Sequence, residues 1–128
     1  MSGGIHASAA LKAVGHYPHA RRVGNLLFLS GIGPRDPASS AIPAGIEAQA
    51  RAVFANVRAV LEASGAGLSD LVDVTVYLTD MAGDFPAYNA VWAEFFPEPA
   101  TAPCRTTLGI TALPTPISIE LKCVACIL

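Results

Sequence analysis

Between Ile46 and Ser64 apolar residues recur at three- and four-residue steps. Ile46, Ala50, Val53, Val57, Val60 and Leu61 make one face, and Glu47, Arg51, Arg58 and Glu62 lie on the others. That spacing predicts an amphipathic helix, stopped by Gly65 and Gly67 in the manner of a left-handed cap. The period then drops to two. Val72, Val74, Val76 and Leu78 alternate with Asp73, Thr75, Tyr77 and Thr79, which predicts a strand with one face on a core. Asp84 as N-cap and Pro86 in the first turn predict a second helix over "FPAYNAVWAEFF". Its aromatic stripe, Phe85, Tyr88, Trp92, Phe95 and Phe96, reads as packing against a sheet. An early strand, "NLLFLSG" from Asn25 to Gly31, runs into a loop dense in Gly, Pro and Ser. Pro34 breaks the Gly31-x-Gly33 pair there, so it is no dinucleotide fingerprint. Two strands close the chain, "RTTLGIT" from Arg105 and "ISIELKCVACIL" from Ile117, with "ALPTP" as the turn between them.

The order strand, helix, strand, helix, strand, strand predicts a single α+β domain over residues 1–128. Its sheet is mixed but mostly antiparallel, with two helices on one face. The N-terminal portion has room for one more strand. The sheet's second face then needs a partner. Composition sharpens that need: 52 % of the residues are hydrophobic and only 14 % charged, so apolar surface is left for an oligomer interface. No apolar run reaches the roughly 20 residues of a membrane span, and Met1-Ser-Gly-Gly does not open a signal peptide. A cytoplasmic protein without a membrane partner is expected. A net charge of −2 gives no footprint for nucleic acid.

The three cysteines bring little chemistry. An odd count without export signals argues against structural disulfides, and residues three apart on a strand face opposite ways. Cys123 and Cys126 are therefore read as packing, not as a metal or redox pair, and Cys104 as buried filler.

The carboxylate in "ISIELKCVACIL" raises the sharper question. With the last two strands taken as a hairpin centred on Leu113-Pro114, Leu108 faces Ile119, Thr106 faces Leu121 and Ile110 faces Ile117, a core row. On the other side Thr107 faces Glu120, Arg105 faces Lys122, and Arg105 lies diagonally from Glu120. Arg105, Thr107 and Glu120 then gather on the face away from the helices. The pattern alone leaves two readings open: an exposed ion pair worth at most about 1 kcal/mol, or a polar site inside an interface.

"YPHARRVGNLLFLSG", "QARAVFANVRAVLEASGAGLSDLVDVTVYLTDM", "FPAYNAVWAEFF" and "PCRTTLGITALPTPISIELKCVA" together resemble the RidA family, the YjgF-like reactive intermediate deaminases. The likeness runs in motif order from about Gly15. It implies a chorismate-mutase-like fold and a homotrimer whose sheets form a central barrel, with a cleft at each subunit interface. It also implies that Arg105 binds the substrate carboxylate and that Glu120 holds the water attacking an imine carbon. Tyr17, Ser30, Gly31 and Asn89 match further site positions. Many members with deaminase activity carry cysteine where this chain has Thr107, whose hydroxyl can still hydrogen-bond a carboxylate or a water.

"YPHARRVG" and "RTTLGITALP" look more like 2-aminomuconate deaminases than housekeeping members. That substrate has two carboxylates, and His19, Arg21 and Arg22 are candidates for the second one, against an ordinary solvated turn. The expected activity is hydrolysis of an enamine or imine carboxylate with release of ammonia, without cofactor or metal. Three alternatives stand beside it: a general 2-aminoacrylate/2-iminopropionate deaminase, a small-carboxylate binding module without turnover, and a ribonuclease, which eight basic residues without a stripe disfavour.

Overall fold

Helix α1 (Ile46–Ala63) forms where the spacing predicts it, with Ala50, Val53, Val57, Val60 and Leu61 fully buried. It ends one residue early, at a turn in which Gly65 takes φ +80°, a conformation a Cβ would strain. The computed structural model describes residues 4–6 and 15–128. Around α1 it sets strands β1 (Gly4–Ile5), β2 (Ala20–Val23), β3 (Leu26–Leu29), β4 (Leu71–Leu78), β5 (Cys104–Gly109) and β6 (Ile119–Cys126), and a second helix, α2 (Met81–Phe95).

The six strands form one mixed sheet in the order β1-β2-β3-β6-β4-β5. All pairings are antiparallel except β4–β5, which run parallel. A parallel pair needs a crossover, and α2 supplies it. Strands β3 and β4 are likewise joined through α1, but β6 returns between them and splits that unit. The core lies between the sheet and the helices: Leu27, Leu29, Val74, Val76, Leu78, Ile119, Leu121 and Cys123 against Val57, Leu61, Tyr88 and Val91. Each large apolar side chain so buried contributes about 1.5–3 kcal/mol.

The expected hairpin between the last two strands does not form. Strand β4 lies between them, pairing Val74 and Val76 with Arg105 and Thr107 on one side, and with Cys123 and Leu121 on the other. Arg105 and Thr107 therefore share the helix-covered face with the core valines. Thr106 and Leu108, expected in the core row, are exposed. The physical reason is the crossover: a strand following a helix docks parallel beside the strand before it, and residues 110–118 then carry the chain back to the sheet's centre. In β6 the expected alternation holds, with Ile119 and Leu121 fully buried and Glu120 and Lys122 on the uncovered face.

Three smaller corrections follow from local geometry. An irregularity between Leu71 and Asp73 buries Leu71 and turns Val72 outward, 43 % exposed. Helix α2 starts earlier than expected, because Asp80 is its N-cap and accepts from the Gly83 N–H at 3.1 Å. Cys104, expected as buried filler, is exposed at the β5 edge. Cys123 is buried and Cys126 only partly so, as opposite strand faces require; burial pushes the Cys123 thiol up to about 12.

Candidate active site

Two clusters carry chemistry, one on each face of the sheet. The first stands on β5 and α2. Arg105 crosses from the β5 edge over three rings of α2, its guanidinium carbon 5.9 Å from the centroid of Phe85, 5.6 Å from Tyr88 and 4.9 Å from Trp92. Its Nη1 donates to Asn89 Oδ1 at 2.9 Å. Helical spacing puts residues 85, 88, 89 and 92 on one face, so a single helix delivers the whole cradle. Thr107, two residues along the strand on the same face, lies 3.4 Å from the Tyr88 hydroxyl. Burial pushes the Tyr88 phenol above its ordinary value, offset in part by hydrogen bonding with Thr107 and by the neighbouring Arg105. The cation is held in place while the rest of its planar fork remains available to a carboxylate.

The second cluster lies on the uncovered face, where β6 meets the chain leaving β3. Ile32 and Leu121 exchange two backbone hydrogen bonds of 2.9 Å, which presses Gly31 against the Glu120 side chain. A Cβ on Gly31 would stand 3.0 Å from the Glu120 carboxyl carbon and 3.1 and 3.2 Å from its oxygens. Burial pushes the Glu120 carboxyl above the usual carboxylate range, and among the described residues no donor reaches it. The nearest cation along the strand, Lys122, directs its ammonium to the Leu29 carbonyl instead. Ser30 donates its hydroxyl to Pro18 O at 2.6 Å and its N–H to His19 O at 2.9 Å, tying this cluster to the segment entering β2.

Behind that cluster, two amides of α1 hold the loop after β3. Asn56 Nδ2 donates to Gly33 O at 2.9 Å and Arg35 O at 2.8 Å. Gln49 donates to Pro43 O at 3.1 Å and accepts from Ser118 N at 2.8 Å. Both amides are buried.

The expected site residues thus divide. Arg105, Thr107 and Asn89 belong to the first cluster; Glu120, Gly31 and Ser30 belong to the second. The predicted meeting of Arg105, Thr107 and Glu120 on one face does not occur, because the inserted β4 reverses the face of β5 relative to the hairpin. Tyr17 is 40 % exposed beside Gly15. Of the residues considered for a second carboxylate, Arg21 shares a row with Phe28 and Val124 on the uncovered face, whereas Arg22 pairs with Leu27 and donates to Gly24 O at 2.9 Å. His19 is buried, its ring 5.8 Å from that of His6.

Sequence reasoning missed Phe85, Tyr88 and Trp92 as site residues. Phe95 and Phe96 pack on Phe54 of helix α1, where packing against the sheet was expected, and the stripe's first three rings serve Arg105. The available signal was their three- and four-residue spacing around Asn89. Among the described residues no helix is long and apolar enough to cross a membrane.

The family model described as Endoribonuclease L-PSP matches residues 7–127. A RutC family protein of Pyrococcus horikoshii is 41 % identical over 122 residues, covering 94 % of each chain. The 2-iminobutanoate/2-iminopropanoate deaminase of Escherichia coli K12 is 36 % identical over 126 residues, 98 % of each. Among solved structures, E. coli TdcF with bound serine superposes with a TM-score of 0.90 at 33 % identity, covering 97 % of this chain and 98 % of that one. The chorismate-mutase-like architecture expected from the resemblance is the one observed. By sequence, by fold and by the order of its motifs, the chain belongs to the endoribonuclease L-PSP family, the group of YjgF and RutC proteins.

Proposed function

We infer that this protein is a cofactor-independent deaminase of small enamine and imine carboxylates, acting as a homotrimer with each site shared between neighbouring copies. The observation that carries the reading is the separation of its two clusters. Arg105 is a prepositioned anion anchor on one face of the sheet, and Glu120 is a half-buried carboxylate on the other, without a donor among the described residues. A six-stranded sheet stands between them, so one chain cannot apply both to one substrate. A neighbouring copy seated on the uncovered face can. That face exposes Leu26, Phe28 and Leu108, about two-fifths accessible each, apolar surface suited to an interface. The name of the E. coli relative and the serine held by TdcF support a substrate that is a small carboxylate bearing nitrogen at its second carbon.

The chemistry follows from the two groups. Arg105 docks the substrate carboxylate through parallel N–H···O bonds. The enamine tautomerises to an imine, whose carbon is already electrophilic. Glu120 orients a water and accepts its proton as the oxygen bonds to the carbon of the protonated imine, giving a neutral carbinolamine. Glu120 returns that proton to nitrogen and takes up the hydroxyl proton as the C–N bond breaks, so the carbonyl forms and ammonia leaves, carrying the last proton away as ammonium. Much of the barrier reduction is orientation in a shielded cleft, which suits a site with so few ionisable groups.

The test is ammonia release from freshly generated 2-aminoacrylate and, in parallel, from 2-aminomuconate. Fast release from the first supports a general imine deaminase. Release confined to the second identifies the dicarboxylate subgroup, for which Arg21, on the same face as Glu120, is the candidate second anchor. Release from neither, with retained carboxylate binding, leaves a binding module. Salt-dependent RNA binding in its place points to the ribonuclease reading.

A further inference from the structure

Tyr88 is fully buried, yet it carries a polar group into the wall of the Arg105 cluster. A buried phenol must place both its lone pair and its one proton. The Arg105 guanidinium lies over the Tyr88 ring, its carbon 5.6 Å from the centroid, and a cation beside the phenol draws the oxygen's lone pairs toward itself and turns the proton away. The phenol proton then needs an acceptor, and the group within reach is Thr107 Oγ1 at 3.4 Å. That separation is long for an O–H···O bond, as contacts in unliganded sites commonly are before a ligand tightens them. Thr107 is half-buried and lies on the same face of β5 as Arg105. If its oxygen receives the Tyr88 proton, its own proton must point elsewhere, and the open side of the site is where it can go.

We propose that Tyr88 is a positioning residue that fixes Thr107 as an outward hydrogen-bond donor, so that Arg105 and Thr107 together present only donors to the substrate. The order runs one way: the Arg105 charge turns the Tyr88 lone pairs toward itself, the Tyr88 hydroxyl donates to Thr107 Oγ1, and the Thr107 hydroxyl donates to the ligand. Such an array selects a carboxylate, which accepts at both oxygens, and rejects an amide or amine, which would bring a donor against the Thr107 proton. It rests on the reading of Arg105 as the carboxylate anchor, and it assigns the hydroxyl of Thr107 a defined direction. A threonine without the phenol behind it could rotate and offer a lone pair instead.

Binding of pyruvate, the keto acid that deamination of 2-iminopropanoate would leave, tests the proposal without requiring turnover. Calorimetric titration is run on wild type, Tyr88→Phe, Thr107→Val and the double variant, with ammonia release measured alongside. Loss of one hydrogen bond to a charged group predicts a Kd raised on the order of tenfold in each single variant. The diagnostic is non-additivity: in the Thr107→Val background Tyr88→Phe costs nothing further. Thr107→Ser, which keeps a hydroxyl, binds as wild type does and remains sensitive to Tyr88→Phe. In turnover the loss appears in KM and not in kcat. The proposal is overturned by wild-type affinity in Tyr88→Phe, by effects that add in the double variant, or by a wild type that does not bind pyruvate. Non-additive weakening of pyruvate in a protein that releases no ammonia would uphold the donor chain and refute the deaminase reading. Ammonia release with additive effects would do the reverse.

Discussion

The two clusters solve opposite electrostatic problems with opposite means. Arg105 lies at an edge strand, stacked on Trp92 and tied to Asn89, so its charge is favourably held, though not neutralised, before any ligand arrives. Glu120 lies on a central strand beside Gly31, half-buried and without a donor among the described residues, so its charge is costly until something polar joins it. One cluster is stable alone and waits for an anion. The other is held in an unfavourable state by its surroundings, the condition in which a carboxylate makes a base at near-neutral pH. The difference is the ground for the proposal that a working site joins two copies: each cluster offers what the other lacks, and within one chain the sheet stands between them.

Removing the cation breaks the comparison most severely. Arg105→Ala is expected to lower kcat/KM for an imine carboxylate by roughly a hundredfold or more, with the far-ultraviolet spectrum unchanged, because Arg105 is itself exposed and the rings it covers stay packed in the core without it. Steady-state ammonia release checks this, and retention of most activity would sink the assignment. Glu120→Gln keeps shape and removes basicity. It should reduce kcat by about a hundredfold while the Kd for pyruvate stays near that of wild type; equal loss of both would deny Glu120 its role toward water.

Subtler changes sharpen the contrast. Gly31→Ala places a methyl group against the Glu120 carboxylate, whose flexible end must move by a few tenths of an ångström. About a tenfold fall in kcat is expected from that misplacement, within the loss that small displacements in a catalytic site can cause, and Arg105-dependent binding should be untouched. Smallest is the effect on stability. The Glu120 carboxyl is raised in the folded chain by burial, so its contribution to stability is fully present below the unfolded value and is lost as pH rises through the folded one. Thermal melts should therefore show Glu120→Gln gaining on wild type at neutral pH and converging with it in acid. The same raised value predicts that kcat/KM falls as pH drops through it, at a pH above the ordinary carboxylate range.

Legibility in the sequence tracked how local each decision was. The face of α1 and the alternation of β6 were readable because a period of 3.6 or 2 is written into adjacent residues. Glu120 was therefore oriented correctly from its neighbours Ile119 and Leu121. Arg105 was not, since its face depends on which strand β5 joins, and that choice is made by the crossover through α2. The adjacent threonines of "RTTLGIT" suit either face, so no local pattern could object to the hairpin. Val72 went wrong for a related reason: a one-residue irregularity flips a side chain without changing composition. The aromatic stripe was read for packing because burial and cation binding ask for the same residues, and only a partner brought from a distant strand tells them apart.

The central claim, that each site joins the Arg105 cluster of one copy to the Glu120 cluster of its neighbour, has a direct test. Arg105→Ala and Glu120→Gln chains, each nearly inactive, are differently tagged, co-expressed and purified as mixed assemblies through both tags. In a closed trimer that contains both chains, one interface of the three joins the two wild-type groups, so ammonia release should return to about a third of wild type. Mixed assemblies as inactive as their parents would contradict the account and place both groups of a working site on one chain.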